Sequence, residues 1–410
     1  MTGRAALLRG NTDFSLFWWG QALSALGSRI SDICLPLLVL HVSHSALLAG
    51  AIATVRLVVL NVARLPGGVL ADRWRRRTVL VRVDLVKALL WVTPAVLLVA
   101  GATQVWPLLV VAGLDGLVSS VYNPSLGAAL RRLVRPDEIT AAVSLNESRS
   151  YAAGLIGPAV GGALFALTPW LPFALDAVTF LLCAVLAARI GRELGGHETA
   201  GGMLAGIRTG IAFIARQPFL RVLTVWSSLL NFATGATFFG LIPLLRTGGA
   251  PAQLVGAVSG VVSVGALFGA LAAPRIVARR PYPALVACGV AAAVLVAAVA
   301  VLPHVAVVVA GLTLLSTVGP VLVVVLTAQE YRIVPDELMG RVQSAMTLVG
   351  SLLYPFGFLT MGWLLQRSGA GLAYGVMAGV LAVCAVLCLT PAVRAQFAAD
   401  PEAAMVAEPA

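Results

Sequence analysis

The stretch VRPDEITAAVS, Val134–Ser144, returns later in the chain as IVPDELMGRVQS, Ile333–Ser344. The two Pro-Asp-Glu triplets start at Pro136 and Pro335, 199 residues apart in a chain of 410. A short acidic turn repeated at half the chain length marks one structural unit written twice. GVLAD, Gly68–Asp72, and GALAA, Gly269–Ala273, keep nearly the same offset. The repeat therefore runs in the same orientation in both halves.

Composition says what kind of unit is repeated. Hydrophobic residues make up 60% of the chain, charged residues 11%, and mean hydropathy is +0.96. A soluble domain carries roughly 25% charged residues, because its surface must face water. Here most of the surface must face lipid. About 20 apolar residues in a helix cross a ~30 Å hydrocarbon core. Twelve such spans can be read, at 15–40, 46–70, 78–100, 106–130, 148–168, 171–189, 221–245, 253–274, 283–302, 305–328, 341–365 and 371–392. The first contains Arg29 and Asp32 and no A-x-A-like cleavage site, so it is read as a mature span and not a signal peptide.

The two acidic turns follow spans 4 and 10, six spans apart. The fold expected is all-α and membrane-embedded, with twelve helices in two six-helix bundles related by a pseudo-twofold around a central cavity. Residues 1–190 form the first bundle and 221–394 the second. Residues 191–220, rich in glycine and polar residues, link them, and 395–410 are a disordered tail.

With the N-terminus inside, 20 of the 28 basic residues fall in inner loops and tails, and only Arg246 and Arg367 in outer ones. That asymmetry places both termini in the cytoplasm and the chain in the inner (cytoplasmic) membrane. The +11 charge is thus a topology signal. Nucleic-acid binding would need a basic soluble module, and there is none. The five cysteines fall inside spans and are read as small apolar packing. No metal-ligand spacing, cofactor motif or catalytic constellation is present, and a monomer is expected. The single lysine, Lys87, lies in VDLVKALLW, so a nucleotide-binding G-x-x-x-x-G-K-[ST] loop is excluded.

GGVLADRWRRR, Gly67–Arg77, resembles the G-x-L-A-D-R-x-G-R-R signature of the major facilitator superfamily between spans 2 and 3. Gly68, Leu70, Ala71, Asp72, Arg73, Arg76 and Arg77 match. Arg75 replaces the second glycine, as in the branch of macrolide efflux proteins and the enterobactin exporter. GPAVGG in span 5 is similar to that superfamily's antiporter motif. The resemblance implies a drug:proton antiporter, with Asp72 closing an inner gate on the start of span 11, Gly340–Arg341. Gly68, Arg73 and Arg76 belong to the same gate. The second acidic turn is followed by Gly340-Arg341 where the first has Ala141-Ala142, so broken symmetry supplies the gate's positive partner. In span 5, Gly154, Gly157, Pro158, Gly161 and Gly162 form either a packing face or a hinge.

Counting at about 1.5 Å per residue, Asp32 (span 1), Arg56 (span 2) and Asp115 (span 4) lie about 13–15 Å deep, with Arg29 beside Asp32. Charges in lipid mark ion paths or structural pairs, and two readings stand: a salt-bridge cluster, or a proton site led by Asp32, then Asp115. Asp84 and Lys87 are read as a local i,i+3 pair, Glu147 and Arg149 as part of the inner gate, and Asp176 as an interface acid. Cavity candidates in the second half are Asn231, Phe232, Phe238, Phe239, Tyr354, Phe356 and Phe358. Apolar walls with few polar handles suit hydrophobic substrates of loose specificity. The function expected is a proton-coupled, alternating-access exporter of a small, largely hydrophobic compound. An importer or facilitator on the same fold, or a non-transporting membrane partner, are the alternatives.

Overall fold

The computed structural model describes residues 7–101, 104–135, 138–195 and 203–398. Its elements are α-helices: α1 (Thr12–Ser43), α2 (Ala46–Arg73), α3 (Arg76–Val99), α4 (Trp106–Leu133), α5 (Ile139–Leu167), α6 (Leu171–Ala188) and α7 (Met203–Arg216). They continue with α8 (Pro218–Thr247), α9 (Ala252–Arg279), α10 (Pro281–Val301), α11 (Val305–Ile333), α12 (Asp336–Ser351), α13 (Tyr354–Leu387) and α14 (Pro391–Ala398). All-helical structure is what lipid demands, since a helix satisfies its own backbone N–H and C=O groups.

Nine stretches of described residues are long and apolar enough to cross a membrane. One of them, Glu337–Leu387, runs 51 residues, about 75 Å of helix and enough for two crossings. Gly369, at φ +78° inside α13, separates those two. With α3 and α4, which lie outside those nine stretches, helices cover each of the twelve expected spans. α3 carries Arg82, Asp84 and Lys87 among apolar residues, and of these Lys87 joins the site described below.

The chain separates into two compact units, residues 1–201 with 246–260, and residues 202–245 with 261–410. In the first unit α2 packs along α4, α3 along α6, and α1 along α5 and α6. Its arginine-rich end is closed by a buried cluster that includes Phe14, Phe17, Leu80, Leu133 and Ile190. Two polar ties hold that end. The Asp13 carboxylate accepts from the backbone N–H groups of Gly191 and Arg192 (2.9 and 3.0 Å), and Arg192 donates to the Leu133 carbonyl at 3.0 Å. In the second unit α10 packs on α11 and α13, and the amphipathic α7 lies on α12. The α7 residue Ile214 is buried in the core while Arg208 and Arg216 are exposed.

Two local features depart from the expected spans. Span 11 is broken: α12 stops at Ser351 and α13 starts at Tyr354. Pro355 has no N–H to donate, so a continuous helix would leave a carbonyl orphaned in lipid. The carbonyls just before the break are taken over by α8, with Ser228 donating to Val349 at 3.0 Å and Asn231 to Gly350 at 3.1 Å. Asn231→Ala is therefore expected to lower stability by about 1–3 kcal/mol, the cost of an unsatisfied buried acceptor. Thermal unfolding of the purified protein checks this. Second, α14 carries the ordered chain past Ala395 to Ala398, with Phe397 buried against Tyr282 at 5.5 Å between ring centroids. The remaining tail, 399–410, lies outside the described residues.

Candidate functional site

The most charged interior of the molecule is in the first unit, and Arg56 is its centre. Its Nη1 donates to Asp32 Oδ1 of α1 at 2.6 Å, and its Nε to Asp115 Oδ2 of α4 at 2.7 Å. Arg29, one turn before Asp32, stands 3.7 Å from that carboxylate. Trp91 of α3 donates its indole N–H to Asp115 Oδ1 at 3.2 Å, and the Arg56 guanidinium lies 5.9 Å from the Trp91 ring. The three helices converge as the depth count required. The two acids differ in access: Asp115 is 1% exposed, whereas Asp32 is 36% exposed.

What brings α2 onto α4 is Gly116. A Cβ there would stand 2.2 Å from the Arg56 carbonyl oxygen, so only glycine lets the two backbones meet beside the ion pair. The dipeptide Asp115-Gly116 thus supplies the anion and the space for its partner together. Gly116→Ala forces the helices apart, at about 1–3 kcal/mol for overpacking.

Lys87 departs from expectation. Its ammonium reaches Asp115 Oδ1 at 3.6 Å instead of closing a local pair with Asp84. It lies 5.2 Å from both the Tyr122 and Phe180 ring centroids, so aromatic faces share its charge. Residues three apart on a helix lie on adjacent faces, but a four-carbon stem is long enough to cross to α4. Asp84 is fully buried, and neither of its oxygens accepts a hydrogen bond among the described residues. Beside it Gln21 donates to the Tyr122 hydroxyl at 2.7 Å and to Cys183 Sγ at 3.4 Å. Asp176, read as an interface acid, is fully buried instead, facing Gly27 and accepting from Thr179 Oγ1 at 3.3 Å. Arg149 belongs to this interior as well, because its Nε and Nη1 are buried and have no hydrogen-bond partner among the described residues.

The expected gate residues divide. Gly68 is buried, and the side chains of Asp72 and Arg73 lie outside the described residues. Arg76 is buried and donates to the Leu194 carbonyl at 3.2 Å, anchoring the chain after α6. In the second unit the Arg341 backbone seats against Gly210 of α7, and the Gly340 carbonyl accepts from Ser344 Oγ at 2.7 Å, with open space where a Cβ would stand.

Along α5 the glycines have unequal surroundings. A Cβ at Gly157 would stand 2.5 Å from Arg29 Cβ, one at Gly161 3.1 Å from Ile33, and one at Gly162 2.5 Å from the Ala252 carbonyl, while one at Gly154 would meet nothing within 4 Å. The helix runs unbroken from Ile139 to Leu167 through Pro158. Close packing against α1 and the start of α9 accounts for three of the four. Gly157→Ala is expected to destabilise the protein and Gly154→Ala to leave it unchanged; comparing their melting temperatures checks this.

In the second unit Phe358 sits edge-on to both Phe239 (5.3 Å) and Tyr354 (5.1 Å). Phe239 is buried, Phe232 and Phe238 are half-buried, and Phe356 is 48% exposed. Asn231 is committed to the Gly350 carbonyl through its amide N–H.

A family model for the Major Facilitator Superfamily matches residues 17–358. Multidrug efflux pump Tap of Mycolicibacterium fortuitum is 28% identical over 380 residues, covering 86% of this chain and 89% of that protein. The MFS-type transporter y4rN of Sinorhizobium fredii (strain NBRC 101917 / NGR234) is 28% identical, covering 89% and 91%. The match to the MFS-type transporter YfiS of Bacillus subtilis (strain 168), at 26% identity, spans about half of each chain, 49% and 49%. Among solved structures, a bacterial homologue of the iron transporter ferroportin in its inward-facing state superimposes with a TM-score of 0.72 at 17% identity, over 92% of this chain and 98% of that one.

Proposed function

Because the chain belongs to the major facilitator superfamily, we propose that this transporter exports a small, largely hydrophobic compound and draws its energy from protons. The observation that carries the proposal is the chain of charges Asp32–Arg56–Asp115–Lys87, which links α1 to α4 and runs from the exposed Asp32 to the buried Asp115 and Lys87. Buried charges in a membrane helix bundle are costly and mark ion paths. A purely structural role would be met by one pair; here two acids of unequal exposure share one arginine. Asp32 is the accessible end, so it takes the proton. Losing its charge removes one of the two holds on Arg56, while Asp115 keeps the other. Arginine itself stays protonated throughout, so the cluster gains one positive charge as the proton arrives.

That charge change biases the two bundles between inward and outward access to a cavity near the midplane. Asp72, Arg73 and Arg76 with Gly340 and Arg341 form the inner gate, on the side that holds both termini, and the glycines of α5 with Pro158 give the packed face on which the bundles move. The aromatic group Phe232, Phe238, Phe239, Tyr354, Phe356 and Phe358 walls the cavity, with few polar groups to impose selectivity. The relative named as a multidrug efflux pump supports the substrate class. The transporter works as a monomer, needing no cofactor.

The test is transport by the reconstituted protein in vesicles of known orientation, using a radiolabelled macrolide and a lipophilic dye as probes. Both should move toward the acidic side when a pH gradient is imposed. Probe movement indifferent to the gradient would sink the coupling.

A further inference from the structure

The arginine-rich end of the first unit holds a cavity of about 580 Å³ between the start of α3 and the chain leaving α6. Four arginines line it, Arg75, Arg77, Arg82 and Arg192, against one acid, Glu193. Two of the four are tethered to the backbone: Arg77 donates to the carbonyl of Ala188, a lining residue, and Arg192 to that of Leu133. Arg75 and Arg82 are exposed and have no protein partner among the described residues. The helix beginning here, α3, has no side-chain cap on its first turn, although the Arg76 N–H donates to the Gly195 carbonyl at 3.2 Å, so its positive dipole end adds to the field.

Arginines gather at one end of most membrane proteins, and a scatter of them is no site. What distinguishes this one is its roof. On α3 the cavity is lined by Thr78, Val81 and Arg82. At helical spacing that stripe continues through Leu85, Leu89 and Val96, 46%, 69% and 59% exposed. On α6 the cavity residue Ala188 stands at the foot of a second exposed stripe, Val185, Leu181 and Val178. The two helices pack against each other, and each stripe starts from a residue that lines the basic cavity, Arg82 on α3 and Ala188 on α6.

A free anion would use the arginines and ignore the stripes, whereas an amphiphile uses both. We propose that the cavity binds the phosphate headgroup of an anionic glycerophospholipid, with the acyl chains lying along the α3 and α6 stripes. Arg75 and Arg82 are the headgroup ligands, because their donors are uncommitted. Arg77 and Arg192 shape the cavity.

The test uses the full chain purified in detergent, with bound lipid counted by native mass spectrometry. It is titrated separately with phosphatidylglycerol, phosphatidylcholine and inorganic phosphate. Phosphatidylglycerol should bind at least tenfold more tightly than phosphatidylcholine, and equimolar inorganic phosphate should not displace it. The double variant Arg75→Gln/Arg82→Gln should bind phosphatidylglycerol roughly 30-fold more weakly, from the loss of two interfacial charges. A matched control, Arg275→Gln/Arg280→Gln, removes two exposed arginines from the end of α9 and the turn after it in the second half and should bind like the parent. Equal retention of the two lipids by the unmodified protein would overturn the proposal, whatever the variants do. So would equal losses in the two double variants, and displacement by inorganic phosphate would assign the cavity to a free anion instead.

Discussion

Asp115→Asn is expected to cost the folded protein about 3–5 kcal/mol, the range found when one partner of a buried ion pair is removed. The amide is nearly isosteric, so packing is kept and only the charge goes. Asp115 is 1% exposed and faces Arg56 at 2.7 Å, Lys87 at 3.6 Å and the Trp91 indole at 3.2 Å. Without it Arg56 falls back on Asp32, but Lys87 loses its one ion-pair partner among the described residues while staying buried. The consequence should be a lowered melting temperature and little transport. The combined change Asp115→Asn/Lys87→Met removes both members, and should recover part of the lost stability. A double variant no more stable than Asp115→Asn alone would show that Lys87 does not depend on Asp115.

Asp32→Asn should have the opposite profile. Its carboxylate is 36% exposed and Arg56 retains Asp115, so folding is expected to survive with a loss of about 1 kcal/mol or less, as for a partly solvated pair. Proton-driven transport should fall at least tenfold, while exchange of labelled for unlabelled probe across the membrane continues. Exchange needs the alternating cavity but no net proton movement, so it separates a coupling acid from a structural one. Loss of exchange together with coupled transport would make Asp32 part of the scaffold.

The contrast between these two acids shows what the sequence could and could not convey. Twelve spans, and the convergence of Asp32, Arg56 and Asp115, follow from apolar run lengths and a count of helical rise, since both depend on one dimension. Which acid is buried does not follow, because it depends on lateral packing. Gly116 carried a usable signal: a small residue next to an intramembrane acid is a place where another backbone can approach. Lys87 misled because i,i+3 spacing to Asp84 is compatible with a local pair, and only the position of α4 shows where the long side chain goes. Asp176 lies near one end of α6 and yet is fully buried against Gly27; position along a helix and exposure around it are independent. The break at Ser351–Tyr354 was announced by Pro355, but its satisfaction by Ser228 and Asn231 joins residues about 120 positions apart, beyond any local pattern.

The most direct measurement follows protons and solute together. Vesicles holding the reconstituted protein and a trapped pH-sensitive dye would be given a pH gradient, and uptake of a radiolabelled macrolide and dissipation of the gradient recorded at once. The account predicts that adding the macrolide speeds proton movement down the gradient, that macrolide moves in the opposite direction, and that Asp32→Asn abolishes both. Macrolide movement at the same rate with and without the gradient, or undiminished coupling in Asp32→Asn, would contradict it.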